Sequence, residues 1–596
     1  MLTLHLAAAL LLRFTVHVSS TPAPALLGPG FPAPTDLSSN SSLVHAAWSN
    51  FTATIESFIR ANTTVEGLVP NLGSYTFSVG AFSIYDEAAT EKLQYHHTGP
   101  DVKTSNTGVT HVDGDSIYRV ESITKLFTVY LTLLEIGSGY WDCPITDFLP
   151  DLADFAKKTP LDPLHVVDWN GVTLGTLAGQ MSGIPRDTAL YTNDLAFQSP
   201  SPAGLPPLNL SSPDEIDPCA SYSNSSGTFC PNKINLQSYT RRDPVFAPWT
   251  SPMYTNGGFA MLSLAVENIT GKAFGTLFKD NMFTPLGMTS TFYKSMTDFS
   301  RAVSPGGSQT DTYQSLRSIA ANDAASGSIY STTNDLAKFG LSILNSTLLA
   351  PEETRKWLKP ITHTGSLQFS VGRPWEIFRF TQPSTGHVND LYTKAGDGTG
   401  YSSYLILSPD HGAGFSILIA GNNLPTYIAR SAVADTLTST VVRALESEAA
   451  AEAVHNLAGR YVSNSSYLNS SLTLTVDASI GSGLHVTSWI SNGTKMLPLL
   501  GIQTLDELSL FPTGLRSPLP GQGEKVAFRG TFGSSTYSRD VGLFMDQGTT
   551  NSAWENIDAT TYGGASFDLF LFDVDANGKA MAVTPAVTRA TLHKIA

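Results

Sequence analysis

Polar and apolar residues alternate along Tyr75-Thr76-Phe77-Ser78-Val79-Gly80-Ala81-Phe82-Ser83-Ile84-Tyr85, which predicts a β-strand. The period changes between Ser122 and Ile136. There Leu126, Phe127, Tyr130, Leu131, Leu133 and Leu134 recur at helical spacing and cover more than one face, so this helix belongs inside a domain, with Gly137 placed to end it. Helical spacing returns at Gly257 to Val266 and at Phe274 to Met282. The apolar runs Tyr404 to Leu407 and Phe415 to Ala420 flank Ser408-Pro409-Asp410-His411-Gly412-Ala413-Gly414, the turn chemistry of a hairpin. Tyr427 to Val454 reads as one long helix, rich in Ala and Glu and free of Gly and Pro. After Gly459 short runs such as Ser471 to Val476 and Phe567 to Phe572 alternate with turns, which predicts a separate small all-β domain over residues 455–596.

Composition sharpens this outline. Dividing 596 residues by roughly 150 suggests about four domains. Only 14% of residues are charged, against roughly 25% in an average soluble domain. The 35 basic and 50 acidic residues leave a formal charge of −15, which opposes nucleic acid and anionic lipid as partners and points to a small-molecule substrate. The run from Leu6 to Leu12, four Leu and three Ala ended by Arg13, reads as the core of a signal peptide over residues 1–20; it is too short to span a bilayer, and no later segment approaches spanning length. A secreted or secretory-pathway lumenal location follows. Ten sequons, at Asn40, Asn50, Asn62, Asn209, Asn224, Asn268, Asn345, Asn464, Asn469 and Asn492, agree with that route. Residues 21–50, rich in Pro, Ala and Ser near their start, are expected to be a flexible lead-in, and Pro200 to Phe246 an inserted loop. Cys219 and Cys230 flank part of that insert and can staple it in an oxidising compartment; Cys143 is the odd cysteine and reads as a small buried hydrophobe. His96-His97 lacks further metal-spaced ligands and reads as a surface loop. No metal and no cofactor are expected. Nothing in the chain fixes its oligomeric state.

The sharpest chemical signal is Ser122-Ile123-Thr124-Lys125 at the start of the buried helix. Residues three apart on a helix share a face, so the Lys125 amine reaches the Ser122 hydroxyl. A lysine in an apolar site has its pKa lowered and can act as a base, and together the pair makes an activated nucleophile. Tyr254-Thr255-Asn256 follows, a phenol able to relay protons next to an amide able to hold either a substrate amide or the Lys125 amine. Lys394-Ala395-Gly396 then opens a glycine-rich stretch, Gly396, Gly398 and Gly400, where a strand edge stays open for substrate and where the backbone N–H groups of Ser122 and Asp397 can form an oxyanion hole.

In this order the three motifs resemble those of the serine β-lactamase and penicillin-binding-protein superfamily, especially its class C-like branch of esterases, D-aminopeptidases and acyltransferases, where Ser-x-x-Lys, Tyr-x-Asn and Lys-x-Gly or His-x-Gly recur. Leu177 to Pro185, Phe283 to Met288, Gly327 to Ser331 and Gly400 to Ser403 look alike too, and the resemblance covers roughly Phe51 to Leu445. It implies an α+β (α/β-class) β-lactamase/transpeptidase-like fold over residues 51–450: an antiparallel sheet flanked by helices, an all-helical subdomain, and a cleft between them. It also implies a serine hydrolase or acyltransferase working through a Ser122 acyl-enzyme, with Lys125 as base, Tyr254 as relay, and Asn256, Lys394, Gly396 and Asp397 on the substrate side. A D-amino-acid-type peptidase, a β-lactam hydrolase, and a non-catalytic binding protein on the same fold are the rival readings. Several positions depart from the family pattern, among them the insert Pro200 to Phe246, which is expected to rim the cleft and reshape substrate choice. His363-Thr364-Gly365 also fits the third motif but lacks the glycine-rich strand that follows Lys394. Asp397 places an acid directly after that motif and is expected to repel anionic substrates. Gln180-Met181 stands where relatives often have His-Thr, without an assigned role.

Overall fold

The computed structural model describes residues 28–61, 71–187, 204–206, 208, 217–221, 230–296, 298–306, 324–422, 424–499, 508–521, 523–532 and 553–595. The chain divides into two compact units, one built mainly from residues 32–380 and 389–451, the other mainly from residues 452–596.

In the larger unit an eight-stranded sheet runs in the order Gln94–His97, Thr76–Ser83, Ala413–Ala420, Tyr401–Ser408, Val388–Gly398, Glu376–Thr381, Phe369–Val371, Thr362–His363. Thr76–Ser83 lies buried along its whole length, pairing antiparallel with Ala413–Ala420 from Thr76 opposite Ala420 to Ser83 opposite Ala413. The hairpin expected around Pro409 is formed, with Tyr401–Ser408 antiparallel to Ala413–Ala420. Because side chains alternate faces along a strand, one sequence feeds two cores. Ile417 and Ile419 pack with Phe77, Val79, Trp48, Phe51 and Leu437, whereas Leu418 and Ala420 join Phe82, Leu405 and Leu407 in the other core. That second core holds the Thr124–Ile136 helix, buried from Thr124 through Leu133 and ended at Gly137 (φ +75°). Phe127 stacks on Phe339 with centroids 3.8 Å apart, and Tyr130 on Trp357 at 5.3 Å. The chain leaves the sheet after His97 and rejoins it at Thr362; this excursion supplies the helices Gly257–Thr270, Phe274–Phe278 and Thr333–Leu344 and a three-stranded sheet of Tyr118–Arg119, Ile329–Ser331 and Phe292–Tyr293.

Five expectations need correction. The lead-in is helical from Leu43: the Leu43–Ala61 helix buries Val44, Trp48, Phe51 and Ile55, a stripe at helical spacing, and the buried carboxylate of Glu448 accepts from the Leu43 N–H at 2.6 Å, satisfying one of the helix's free amides. Ahead of it, Leu37 and Ser38 donate their amides to Asp86 Oδ2 at 2.9 and 2.8 Å. The insert is not all loop, since Asn232–Thr240 is a helix that sinks Leu236 and Tyr239 into the core; the rest of residues 200–246 lies partly outside the described residues. Cys219 and Cys230 are joined by a disulfide, Cα atoms 5.4 Å apart, and Cys143 is free and half-buried. The long helix is Thr426–Leu437 and Arg443–Asn456 joined through a π-helical turn, Thr438–Val442. His96 and His97 sit on the Gln94–His97 strand rather than a loop, with His96 bonded to Ser78 and Gln94 and His97 to the Gly73 carbonyl.

The smaller unit closes on itself. Its strands follow the order Ser471–Thr475, Gly459–Val462, Leu592–Lys594, Ala580–Pro585, Leu569–Asp575, Gly523–Phe532, Leu508–Pro518, Leu484–Ser491, and Leu484–Ser491 pairs back onto Ser471–Thr475. This antiparallel barrel leaves none of these eight strands as a free edge. Phe572 lies inside it, edge-to-face with Phe528 at 4.9 Å and with Tyr461 at 6.2 Å. Residues 1–27, including the expected signal segment, lie outside the described residues, and among those described no helix is long and apolar enough to cross a membrane.

Candidate active site

Ser122 sits in a tight turn, Glu121–Ile123, that leads into the Thr124–Ile136 helix. Glu121 before it adopts φ +49°, a left-handed conformation unusual for a non-glycine residue, and its carboxylate is held by buried Arg119 at 3.1 Å. Lys125 is 0% exposed. Its Nζ donates to Ser122 Oγ at 3.1 Å, to Asn256 Oδ1 at 2.7 Å and to the Ser326 carbonyl at 2.9 Å. Burial pushes its pKa below that of free lysine; nearby Tyr254 opposes the shift and Lys394 adds to it.

The Tyr254 hydroxyl donates to Ser122 Oγ at 2.7 Å. Lys125 Nζ, Arg186 and Lys394 Nζ lie 4.8, 4.9 and 5.3 Å from the centre of its ring. Burial alone would raise its pKa, but the Lys125 and Lys394 charges and the hydrogen bonds at its oxygen outweigh burial and hold it below that of a free phenol. Two groups fix the segment. Gln180, at φ +60°, accepts from Met253 N–H on its backbone carbonyl and from Thr255 N–H on its side-chain oxygen, both at 2.8 Å, so it brackets Tyr254 from either side. Asp187 accepts from Asn256 Nδ2 at 2.8 Å, which turns Asn256 Oδ1 toward Lys125. Of the two roles open to Asn256, it thus holds the lysine amine. Burial raises the pKa of Asp187, with the Asn256 bond and Arg186 pulling the other way.

Lys394 and Gly396 lie on Val388–Gly398, whose partner Tyr401–Ser408 places Ser403 opposite Gly396. Ser403 Oγ donates to the Val120 carbonyl at 2.8 Å, pinning this pair of strands to the turn that carries Ser122. A Cβ on Gly396 would sit 2.2 Å from the Val120 oxygen and 2.9 Å from the Ser122 amide nitrogen, so only glycine lets the strand approach the nucleophile. Lys394 is buried, and its Nζ donates to Glu376 Oε1 at 2.6 Å, while the other Glu376 oxygen accepts from the Ala395 N–H at 2.8 Å. Burial works to lower the Lys394 pKa, but Glu376 and Tyr254 outweigh it and raise it.

Asp397 does not serve as the expected anion repeller. Its carboxylate is paired in two bonds with Arg430, both 2.7 Å, and also accepts from Ser402 Oγ, so its charge is already matched. The acid at the site is Glu376, which carries no sequence signature. Beside it opens a cavity of about 530 Å³, with Met253, Phe369 and Trp375 on its apolar side and Gln180, Tyr254, Glu376 and Lys394 on its polar side. His363, the rival third-motif residue, lines the same cavity and bonds Ser370 Oγ through its Nδ1. Among the described residues no group of three or more His, Cys, Asp or Glu is arranged to hold a metal. A second Ser–His–Glu cluster, Ser408, His411 and Glu446, is buried and joins the hairpin turn to the Arg443–Asn456 helix.

Helices against an antiparallel sheet make a β-lactamase/transpeptidase-like fold, in which Ser122, Lys125, Tyr254 and Lys394 converge beside a cavity. The family profile described as Beta-lactamase matches residues 85–438, more than half of the chain, and the protein belongs to that beta-lactamase-like hydrolase family. A second profile, described as Beta-lactamase-like-like, C-terminal domain, matches residues 449–596 and so covers the barrel. The chain is 28% identical over 599 residues to the "Beta-lactamase-like protein" of Arthroderma benhamiae, covering 95% of each. It is 24% identical to the "Probable hydrolase clz13" of Cochliobolus lunatus over 90% of this chain and 88% of that protein. The solved structure of a beta-lactamase/D-alanine carboxypeptidase from Yersinia pestis aligns with a TM-score of 0.46 at 17% identity, covering 68% of this chain and 100% of that one.

Proposed function

We propose that the protein is a serine hydrolase that acts on an ester, amide or thioester of a small molecule through a Ser122 acyl-enzyme. The observation that carries this reading is the position of Ser122 Oγ, within hydrogen-bond reach of both the buried Lys125 amine (3.1 Å) and the Tyr254 hydroxyl (2.7 Å). Lys125, its basic form favoured by burial, takes the Ser122 proton as Oγ attacks the carbonyl carbon. The Ser122 amide and the strand that Gly396 lets in beside it receive the oxyanion. Tyr254 hands a proton to the leaving group, and water then attacks the acyl-enzyme through the same pair. An acceptor alcohol in place of water makes the same site an acyltransferase. The names of the relatives, a beta-lactamase-like protein and a probable hydrolase, fit this reading. The exposure of Asn40, Asn50, Asn268, Asn345, Asn464, Asn469 and Asn492 and the Cys219–Cys230 disulfide support a route through the secretory pathway.

Pre-steady-state hydrolysis of a p-nitrophenyl ester tests it. A burst of p-nitrophenol stoichiometric with enzyme, absent in Ser122→Ala, is expected. Turnover in Ser122→Ala equal to that of the native protein would overturn the assignment of the nucleophile.

A further inference from the structure

Lys394 is the cation of this site that a substrate anion would seek, yet its charge is matched from within the chain. Glu376, on the neighbouring strand Glu376–Thr381, gives Oε1 to Lys394 Nζ at 2.6 Å and Oε2 to the Ala395 N–H at 2.8 Å. Both carboxylate oxygens are thereby fixed, and the side chain, 24% exposed, still lines the cavity beside Tyr254. The other cations near the nucleophile are engaged as well: Lys125 by Asn256, Ser326 and Ser122, Arg186 by Asp187 at 3.1 Å, Arg119 by Glu121 and Arg430 by Asp397. A substrate carboxylate entering here can reach Lys394 only by displacing Glu376, which already holds that amine at 2.6 Å and the Ala395 N–H at 2.8 Å. The remaining wall, with Met253 and Phe369, offers apolar surface instead.

We propose that Glu376 acts as a built-in carboxylate that occupies the anion position of the site, so that the enzyme selects uncharged, apolar esters or amides and rejects acyl donors bearing a carboxylate. This rests on the Ser122 acyl-enzyme reading and names its substrate class. Glu376 is a specificity-determining residue here: it touches the space where substrate lies without taking part in bond making.

The test compares p-nitrophenyl hexanoate with the mono-p-nitrophenyl ester of adipic acid, alike in chain length but for the terminal carboxylate, each corrected for spontaneous hydrolysis. The native enzyme is expected to favour the neutral ester at least tenfold in kcat/KM, and Glu376→Gln, which keeps the shape and removes the charge, to cut that ratio at least tenfold. An unchanged ratio in Glu376→Gln overturns the proposal, as does a native enzyme that prefers the carboxylate. Should the variant not fold, inhibition of the native enzyme by phenylboronic acid and by 3-carboxyphenylboronic acid decides: the neutral compound is expected to bind at least as tightly, and tighter binding of the carboxylated one refutes the role of Glu376. Labelling of Ser122 by a fluorophosphonate in the same preparation separates the two levels. Labelled protein with the wrong selectivity sinks only the Glu376 assignment, whereas unlabelled native protein sinks the acyl-enzyme reading together with it.

Discussion

The chemistry of this protein turns on how a few ionisable side chains share one proton network. Lys125 has no exposed surface and its pKa is depressed, so its neutral form appears at a lower pH than for a free lysine. The kcat/KM profile should accordingly fall as pH drops through that depressed value, on the acid side of where a solvated lysine would titrate. Lys125→Arg installs a guanidinium that stays protonated and should cost about 10²–10⁴ in kcat/KM with no recovery as pH rises to 10. Tyr254→Phe removes the hydroxyl at 2.7 Å from Ser122 and should lower kcat by a similar factor, whereas unchanged turnover would remove its relay role. Ser122, Lys125, Tyr254, Asn256, Lys394 and Gly396 were legible in the sequence because each lies in a short motif whose spacing is itself the signal. Glu376, Asp187 and Gln180 were not. Glu376 and Asp187 are single polar residues in ordinary stretches, Gln180 stood out only as a departure without a role, and only tertiary placement brings Glu376 to Lys394, Asp187 to Asn256 and Gln180 to the backbone on both sides of Tyr254. Asp397 misled for the same reason, because its partner Arg430 lies 33 residues away on another element.

At the scale of elements, the site depends on how closely one strand runs past one turn. A Cβ on Gly396 would meet backbone atoms at 2.2 and 2.9 Å, which cannot move aside, whereas one on Gly398 would meet the Glu121 carboxylate at 2.3 Å, a side-chain end that can shift only by disturbing its pairing with Arg119. Gly396→Val should therefore cost more than Gly398→Ala. We expect at least about tenfold in kcat/KM for the former, since displacing a reacting group by about 1 Å can cost about 10²-fold. Comparing the two variants by kcat/KM, with thermal unfolding as the check on folding, tests the order. The strands and the buried helix were legible because period-two and helical patterns survive there undiluted. The Leu43–Ala61 helix was obscured by the Pro- and Ser-rich residues just before it, although its stripe of Val44, Trp48, Phe51 and Ile55 is regular. The π-helical turn at Thr438–Val442 leaves no mark in composition and is visible only in the backbone.

For the molecule as a whole, a chain that length alone would divide into about four domains folds as two units, a β-lactamase-like one and a barrel. The β-rich character of the second was readable from its short strands, but closure depends on the pairing of Ser471–Thr475 with Leu484–Ser491, a matter of register rather than residue type. Its interior is aromatic, so Phe572→Ala, which removes a fully buried ring packed on Phe528 and Tyr461, should destabilise by about 3–5 kcal/mol and lower the midpoint of a urea unfolding transition of the full-length chain. A midpoint within error of the native value would show that the ring is not packed as described. The scarcity of charge is consistent with a glycosylated surface: expression through a eukaryotic secretory route should yield a protein that loses mass on endoglycosidase treatment, and an unchanged mass would refute that route.

Whether Ser122 is the nucleophile of an acyl-enzyme is decided by intact-mass spectrometry after incubation with a fluorophosphonate. The native protein should gain the mass of one phosphonyl group, mapped by peptide digestion to Ser122, and Ser122→Ala should gain none. A native protein that stays unmodified, or an adduct that persists in Ser122→Ala, would show that Ser122 is not the nucleophile.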